Sequence, residues 1–145
     1  MTPSRDPERA KTHSTRPLPQ PTVLTAPHWD GCRRGALLVQ RCRSCQTYVF
    51  PPQPHCPGCL SADMTWVESS GHGTVHTYSI VWRPQQPAFE VPYIVIVVRL
   101  QEGWHMISNM VGCDPAAVRV GMPVEVAFQE VGEDFFLPMF RPAVE

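Results

Sequence analysis

The sequence predicts a mainly β protein in which a short N-terminal helix and a small metal-binding ribbon precede a five-stranded barrel. Two observations lead to this fold class. Two Cys-x-x-Cys pairs of matched spacing lie around residue 50, and the chain beyond residue 70 carries five β-prone segments with one short helical signal. We therefore predict three regions: a disordered leader over 1–26, a helix plus ribbon over 27–66, and a barrel domain over 67–145.

The ribbon is predicted from Cys42, Cys45, Cys56 and Cys59. Each pair places two sulfurs on one tight turn, and two such turns complete the tetrahedron that Zn²⁺ accepts. The ten residues between the pairs leave room for a strand over 47–50 and a proline turn. We expect a rubredoxin-like zinc ribbon with one structural Zn²⁺, because a closed shell of four thiolates leaves no open position for water or substrate.

Disulfide bonds and chance are the other interpretations of the cysteine pairs. One Cys-x-x-Cys pair alone would be weak evidence, because it also occurs in redox motifs, but two matched pairs around a short hairpin are strong evidence for a metal site. The ligands themselves do not distinguish zinc from iron. Iron would indicate rubredoxin-like electron transfer, and a colourless zinc protein would exclude that function. Replacing Cys42 or Cys59 by Ser is expected to unfold the ribbon and leave the barrel folded.

The leader and the helix differ in composition. Residues 1–26 are rich in Pro, Thr, Ser and Arg and hold too few aliphatic residues to offset the entropy of ordering. Beyond them, an early Pro27 and a later Gly35 bracket one or two helical turns. Trp29 and Cys32, three residues apart, are expected to share one face of this helix.

The barrel is predicted from segments rich in β-branched and aromatic residues. Asp114 followed by Pro115 marks the start of a short helix, and the glycines of Gly71-His72-Gly73 indicate a hinge. The predicted strands are 37–41 and 64–68 beside the ribbon, then 74–83, 93–101, 104–110, 124–131 and 135–140. A short helix between the third and fourth barrel strands is the order of an OB-type barrel.

Length and charge limit the classes of function. A chain of 145 residues has room for the ribbon and one further small domain. No apolar run reaches about 18 residues and the leader lacks an apolar signal core, so we expect a cytoplasmic protein that does not enter a membrane. The alternative function is a nucleic-acid-binding module, but residues 46–145 hold four Arg against ten acids, whereas such modules need a basic groove.

Several short pieces of the chain keep an order and spacing typical of one family. With these pieces the chain resembles the acyl-CoA-associated OB-fold proteins that carry an N-terminal rubredoxin-like zinc ribbon, a family long described only as a domain of unknown function. The resemblance covers about residues 27–142 and excludes the leader. The pieces are 29–31, 37–38, 40–45, 50–52, the Cys56-Pro57-Gly58-Cys59 knuckle, 71–75, 87–89, 92–93, 109–113, 120–126 and 140–142.

The resemblance implies an accessory role. Members of the family are found with thiolase-fold enzymes, including thiolases and the aldolases that remove the side chain of steroid acyl-CoA thioesters. It implies that the catalytic residues lie on a thiolase-like protein subunit, that the small protein docks on this partner, and that an acyl-CoA tunnel forms at or near the interface. It leaves open whether the complex performs aldol cleavage, thiolysis or acyl transfer.

The residues themselves predict no catalytic group in this chain. The histidines show no Cys or Ser partner at a recognisable spacing. Cys32 and Cys113 are interpreted as inert core residues, because neither has an evident neighbouring base or helix N-terminus that would activate its thiol.

Candidate binding residues form two sets. Arginine offers forked donors to phosphate, so the candidates for the nucleotide end of acyl-CoA are Arg33, Arg34, Arg41 and Arg43. The alternative is that these arginines pair with acids on a protein partner or face water. The candidate partner contacts are Trp29, Trp82, Phe89 and Tyr93. The segment 82–92 holds three prolines and is a predicted loop, where an aromatic residue has less core to fill, and Tyr93 suits core packing equally well.

Overall fold

The computed structural model describes residues 16–143, and the predictions for residues 1–15 lie outside this range. Helix α1 spans Ala26–Arg34. It begins with a proline in its first turn and ends at Gly35, whose left-handed φ of 78° lets its N–H reach the Cys32 carbonyl. The predicted helix is confirmed. Among the described residues, none of the helices has the length and apolar character that a membrane span requires.

The ribbon contains a three-stranded antiparallel sheet in the order β2-β1-β3, with β1 at Leu38–Cys42, β2 at Tyr48–Val49 and β3 at Met64–Glu68. β2 is shorter than predicted. Gln46 has a left-handed φ of 66° two residues before it, and the proline pair that begins at Pro51 ends it, because proline has no N–H for the ladder.

The remaining strands close into a barrel in the order β4-β5-β6-β8-β7. Contact between β4 and β7 completes the ring, and β6 runs parallel to β8 at Met110 and Phe140. A 3₁₀ helix at Pro115–Ala117 lies between β6 and β7 and is capped by the Asp114 carboxylate, which accepts from the Ala116 N–H at 2.8 Å. The OB-fold prediction is confirmed. The strands are β4 His72–Val81, β5 Tyr93–Leu100, β6 His105–Met110, β7 Pro123–Gly132 and β8 Phe135–Pro142.

The ribbon sheet and the barrel share one hydrophobic core. Leu37 and Val39 of the ribbon are buried in the same cluster as Val75, Leu100 and other barrel residues. The aromatic rings of Phe50 and Trp104 meet across this junction with centroids 5.4 Å apart. The division of the chain at residue 66 stays a prediction, since apolar contacts are continuous across it.

Close packing explains the glycines that were predicted to form a hinge. Gly73 lies within β4 opposite Leu100, and a Cβ there would overlap the Arg99 carbonyl oxygen. Gly71 has a φ of 75° and lies against the Val126 side chain. These two positions therefore need glycine for close approach of the chain to β5 and β7.

A carboxylate joins the end of the ribbon to the β5–β6 turn. Glu102 accepts hydrogen bonds from the Ser69 hydroxyl at 2.8 Å and from the Ser70 N–H at 3.0 Å. Burial alone would raise the pKa of Glu102, but the hydrogen bonds from Ser70 and Ser69 outweigh it, so the pKa lies below its usual value. The carboxylate is therefore held in its charged form.

Glu102→Gln is expected to lower the free energy of unfolding by about 0.5–1 kcal/mol at neutral pH, since charged hydrogen bonds near a surface contribute modestly. A depressed pKa contributes stability above the unfolded-state value and loses it as the pH falls through the folded-state value. The difference between the variant and the wild type should therefore shrink towards zero below about pH 4. Urea unfolding at two pH values measures this. Glu133→Gln, on the exposed β7–β8 turn, is the control; a difference that persists in acid would contradict the linkage.

Candidate functional site

The two cysteine turns have the same backbone geometry. In the first, the Gln46 N–H donates to the Cys42 carbonyl at 2.9 Å; in the second, the Leu60 N–H donates to the Cys56 carbonyl at 2.8 Å. Gln46 and Leu60 have left-handed φ values of 66° and 65°. Each turn thus directs its two sulfurs towards a common point, as the matched spacing predicts.

The four sulfurs form a compact group. The Cys42 and Cys59 sulfurs are 3.5 Å apart, as are those of Cys45 and Cys56, and all four lie within 4.8 Å of one another. A disulfide would need about 2.05 Å, whereas sulfurs about 2.3 Å from a shared ion lie about 3.8 Å apart in a tetrahedron. The geometry is that of a metal centre, and it favours the metal interpretation over disulfides.

Hydrogen bonds favour the thiolate forms of Cys42 and Cys45. The Cys45 N–H lowers the pKa of Cys42, and the Thr47 hydroxyl, 3.1 Å from the Cys45 sulfur, lowers the pKa of Cys45 to about 6. The Ser61 backbone also acts to lower the pKa of Cys59, but the neighbouring Cys42 sulfur and burial outweigh it and raise that pKa to about 12. A divalent cation offsets such mutual repulsion, so this donor set suits a metal ion.

The candidate arginines of α1 are engaged within the chain. Arg33 forms ion pairs with Asp30 at 3.2 Å and with Asp134 at 3.4 Å, so it connects α1 to the β7–β8 turn. Arg34 donates to the Asp30 carbonyl at 3.4 Å. These are exposed, weak contacts, and an anionic ligand could displace them.

The candidate arginines of the ribbon are also engaged. Arg41 donates to the Gln46 carbonyl at 3.2 Å and lies over the Tyr48 ring at 4.9 Å. Arg43 approaches Asp63 at 3.9 Å. The described contacts do not join these two arginines to the pair on α1, so a single phosphate site made of all four stays a prediction.

Two of the candidate partner contacts line a groove on the barrel. Phe89, from the β4–β5 connection, and Tyr93, at the start of β5, have ring centroids 6.2 Å apart and border a cavity of about 760 Å³. The Tyr93 hydroxyl donates to Gln85 at 2.8 Å and so fixes the loop. Trp82 begins the same connection and is 66% exposed. Trp29 lies elsewhere, packed against Phe135 with centroids 5.3 Å apart.

The floor of this groove comes from the outer faces of β5 and β6. Val97 pairs with Ile107 in the ladder, and Ile107 is 71% exposed. Val95 and Met139 contribute further apolar lining. Sequence reasoning missed this surface because β5 reads as an uninterrupted apolar strand, which does not reveal that its second face is open.

One expectation about histidine was wrong. His28 and Cys32, four residues apart on α1, are both buried, with the His28 Nε2 3.8 Å from the Cys32 sulfur. The i,i+4 spacing on a helix was the signal that could have found this pair. Burial raises the pKa of Cys32 to about 12 and lowers that of His28, so both are neutral at pH 7 and the pair lacks a thiolate nucleophile.

A four-cysteine ribbon packed on a closed five-stranded barrel defines a zinc-ribbon and OB-fold protein. Two family models agree with this class: the rubredoxin-like zinc ribbon domain of ChsH2 matches residues 29–65, and the C-terminal OB-fold domain of ChsH2 matches residues 66–129. The chain belongs to the DUF35 family of ChsH2-like proteins. A DUF35 domain-containing scaffold protein of Methanocaldococcus jannaschii is 35% identical over 103 residues, which cover 70% of this chain and 73% of that protein.

Two further matches are more similar in sequence. The chain is 40% identical over 134 residues to a probable enoyl-CoA hydratase alpha subunit of Thermomonospora curvata, covering 92% of this chain and 42% of that protein. The chain thus spans less than half the length of that relative. A solved structure described as Ltp2-ChsH2(DUF35) aldolase matches with a TM-score of 0.81 and 39% identity, over 88% of this chain and all of the matched chain.

Proposed function

We propose that this chain is a non-catalytic accessory subunit of a thiolase-fold acyl-CoA enzyme, with aldol cleavage of a steroid-type acyl-CoA as the reaction of the complex. The observation that carries this proposal is the match to the whole of one chain in the structure described as Ltp2-ChsH2(DUF35) aldolase. The name of a Mycobacterium tuberculosis relative, 3-oxo-4,17-pregnadiene-20-carboxyl-CoA hydratase alpha subunit, supports the steroid class. That relative is 36% identical over 104 residues, and the chain spans 33% of its length.

The described side chains support a role without catalysis. The metal centre is closed by four cysteines, and a structural site of this kind offers no position for substrate. The buried His28–Cys32 pair is neutral at pH 7. The chemistry of the complex is therefore assigned to its partner subunit. We place the complex in the cytoplasm, whose reducing environment keeps cysteine thiols available for the metal.

The metal is proposed to be a single structural Zn²⁺ held by Cys42, Cys45, Cys56 and Cys59. The description of the matching family model as a zinc ribbon supports zinc over iron. When bound, the ion supplies folding free energy to the ribbon and stabilises the sheet that packs on the barrel.

The nucleotide end of acyl-CoA is proposed to bind near α1, where Arg33 and Arg34 are exposed at the last turn. Arg41 and Arg43, on the ribbon, are proposed to contribute further positive charge. Guanidinium groups suit phosphate, and the acids they now contact are exposed and replaceable. Phe89, Tyr93, Trp82 and the half-buried Trp29 are proposed as contacts with the catalytic subunit.

The charge of the groove disfavours nucleic acid. Oligonucleotide-binding OB folds use basic grooves with stacking aromatics. Here Glu90 and Glu130 line the groove, and Arg16 is the cation among its described lining residues. Phosphate groups would be repelled by this surface rather than attracted, so we do not favour the alternative function.

Co-expression with the thiolase-fold subunit of an Ltp2-type aldolase tests the proposal. We expect one heteromeric complex in size-exclusion chromatography, cleavage of a steroid acyl-CoA thioester by that complex, and no cleavage by this chain alone. Replacing Arg33 and Arg34 together by Ala should weaken CoA binding to the complex about tenfold or more, because charged hydrogen bonds to phosphate contribute about 1.5–3 kcal/mol each. Arg119→Ala, on the loop before β7, is the control.

Failure to assemble with the subunit, or cleavage by this chain alone, would contradict the accessory role. CoA affinity that is unchanged in the double arginine variant would contradict the phosphate site and leave the accessory role intact. Atomic absorption on the purified chain identifies the bound metal and its amount. Iron in place of zinc would contradict the metal assignment.

A further inference from the structure

Residues 16–18 lie at one end of the groove, where Arg16 is a lining residue, and they contact the barrel at two places, the β4–β5 connection and the end of β7. The Arg16 guanidinium lies 5.5 Å from the centre of the Phe89 ring, on the β4–β5 connection. Leu18 occupies the space beside Gly132, where β7 ends: a Cβ on Gly132 would lie 2.7 Å from the Leu18 Cδ1. We call residues 16–18 the strap.

The surface under the strap corresponds to the usual ligand face of an OB barrel. That face is formed by the second and third barrel strands with the first and last loops. Here these are β5 and β6, the β4–β5 connection and the β7–β8 turn, and residues from all but the turn itself line the groove. The strap thus lies at one end of the site that this fold uses for binding, with Arg16 among the lining residues.

The composition of the groove points to a protein occupant. Ile107 and Val95 provide an open apolar floor, while Glu90 and Glu130 provide negative charge at the sides. An apolar segment flanked by Lys or Arg complements both the apolar floor and the two carboxylates. A phosphate-bearing ligand with an apolar part complements only the floor, because the carboxylates repel its phosphate. The occupant that these residues favour is an apolar segment of the catalytic subunit with a basic flank.

The contacts that hold the strap are weak. Leu18 is 38% exposed, and a cation–π contact at an exposed site changes an equilibrium by only about two- to fivefold. With contacts of this size, the ratio of the closed to the open population is about ten or less. A ligand that needs the open state then binds more weakly by the same factor.

We propose that the strap is an intramolecular gate: Arg16 and Leu18 close the mouth of the groove, and the apolar segment of the catalytic subunit binds after the strap leaves. This inference rests on the proposed accessory function, because the partner is the occupant. Weakening the strap therefore increases the affinity for the partner, whereas altering the groove decreases it.

Three variants each weaken one of the two contacts that hold the strap. Arg16→Ala removes the contact with Phe89, and Leu18→Ala removes the contact at Gly132. Gly132→Ala leaves the strap sequence unchanged and places a methyl group where Leu18 now lies. Val23→Ala is the matched control, because Val23 belongs to the same leader and is 98% exposed.

Two measurements on the isolated chain report the gate. Hydrogen exchange of residues 82–92 and binding of the neutral apolar dye Nile red are each expected to rise about two- to tenfold in all three variants and to stay unchanged in the control.

Surface plasmon resonance measures binding of the partner. The affinity of the three strap variants for the thiolase-fold subunit should rise by the same factor. Ile107→Asp should lower that affinity about tenfold or more, and Glu90→Lys with Glu130→Lys should lower it in a salt-dependent way.

The outcomes separate the gate from the accessory role. Unchanged exchange and dye binding in all three variants overturn the gate even if the complex forms. A fall in partner affinity in Leu18→Ala also overturns it, because the strap would then be part of the interface. Partner affinity that is insensitive to Ile107→Asp, together with binding of palmitoyl-CoA in the groove, overturns the protein occupant. Failure of every variant and of the wild type to bind the subunit overturns the accessory role, while exchange and dye binding still decide the gate.

Discussion

Cys42→Ser is expected to abolish metal binding and to destabilise the whole chain. Metal binding in small ribbon modules contributes about 10 kcal/mol or more of folding free energy, and a hydroxyl in place of one thiolate removes most of it. Cys42 is the last residue of β1, the central strand of the ribbon sheet, and its sulfur lies 3.5 Å from that of Cys59. Loss of the ion therefore releases the strand that carries Val39 into the shared core.

This expectation differs from the one drawn from the sequence, in which the barrel stays folded. Leu37 and Val39 are buried among barrel residues, so unfolding the ribbon exposes part of the barrel core. Atomic absorption measures the metal, and thermal unfolding followed by circular dichroism measures the stability. Cys113→Ser is the control, because Cys113 lies outside the metal centre. A Cys42→Ser chain that retains one metal ion and the wild-type melting temperature would contradict the assignment.

Trp104→Ala is expected to lower the free energy of unfolding by about 3–5 kcal/mol, the usual cost of truncating a buried aromatic side chain. Trp104 is 5% exposed and packs against Phe50 from the ribbon. The cavity left by the truncation would lie at the junction of the two units, where neither can collapse to fill it. Urea unfolding with intrinsic tyrosine fluorescence and circular dichroism measures the change.

Trp104→Phe separates packing from hydrogen bonding. The indole N–H of Trp104 is buried and has no hydrogen-bond partner among the described residues, so replacing it with an apolar ring sacrifices no bond. We expect Trp104→Phe to cost roughly 1–2 kcal/mol, well below the alanine variant. Equal losses in the two variants would indicate that a polar contact of the indole, and not ring packing, stabilises the junction.

Features that depend on neighbouring residues were predicted from the sequence. The matched Cys-x-x-Cys pairs predicted two equivalent turns, because the geometry of each depends on a few consecutive residues. Pro27 and Gly35 predicted helix α1, and Asp114 with Pro115 predicted the short helix between β6 and β7. Strand β3 coincides with its prediction, since its ends are set by local breakers.

Individual contacts between residues that lie far apart along the chain were not predicted. The approach of Leu18 to Gly132 joins residues more than a hundred positions apart, and nothing in either local sequence indicates it. The same holds for the ion pair between Arg33 and Asp134. The His28–Cys32 contact is the exception, because it is local and was overlooked.

The candidate metal ligands, the order of the elements and the family could be predicted from the sequence, because they follow from spacing, from local backbone preference and from short motifs. How these parts pack on one another depends on the tertiary structure. It shows that the ribbon and the barrel share one core, that the outer faces of β5 and β6 form an open apolar groove, and that Arg16 lies at one end of this groove, over Phe89. Each of these depends on which surfaces meet when the barrel closes, and closure brings together side chains from strands that lie far apart along the chain.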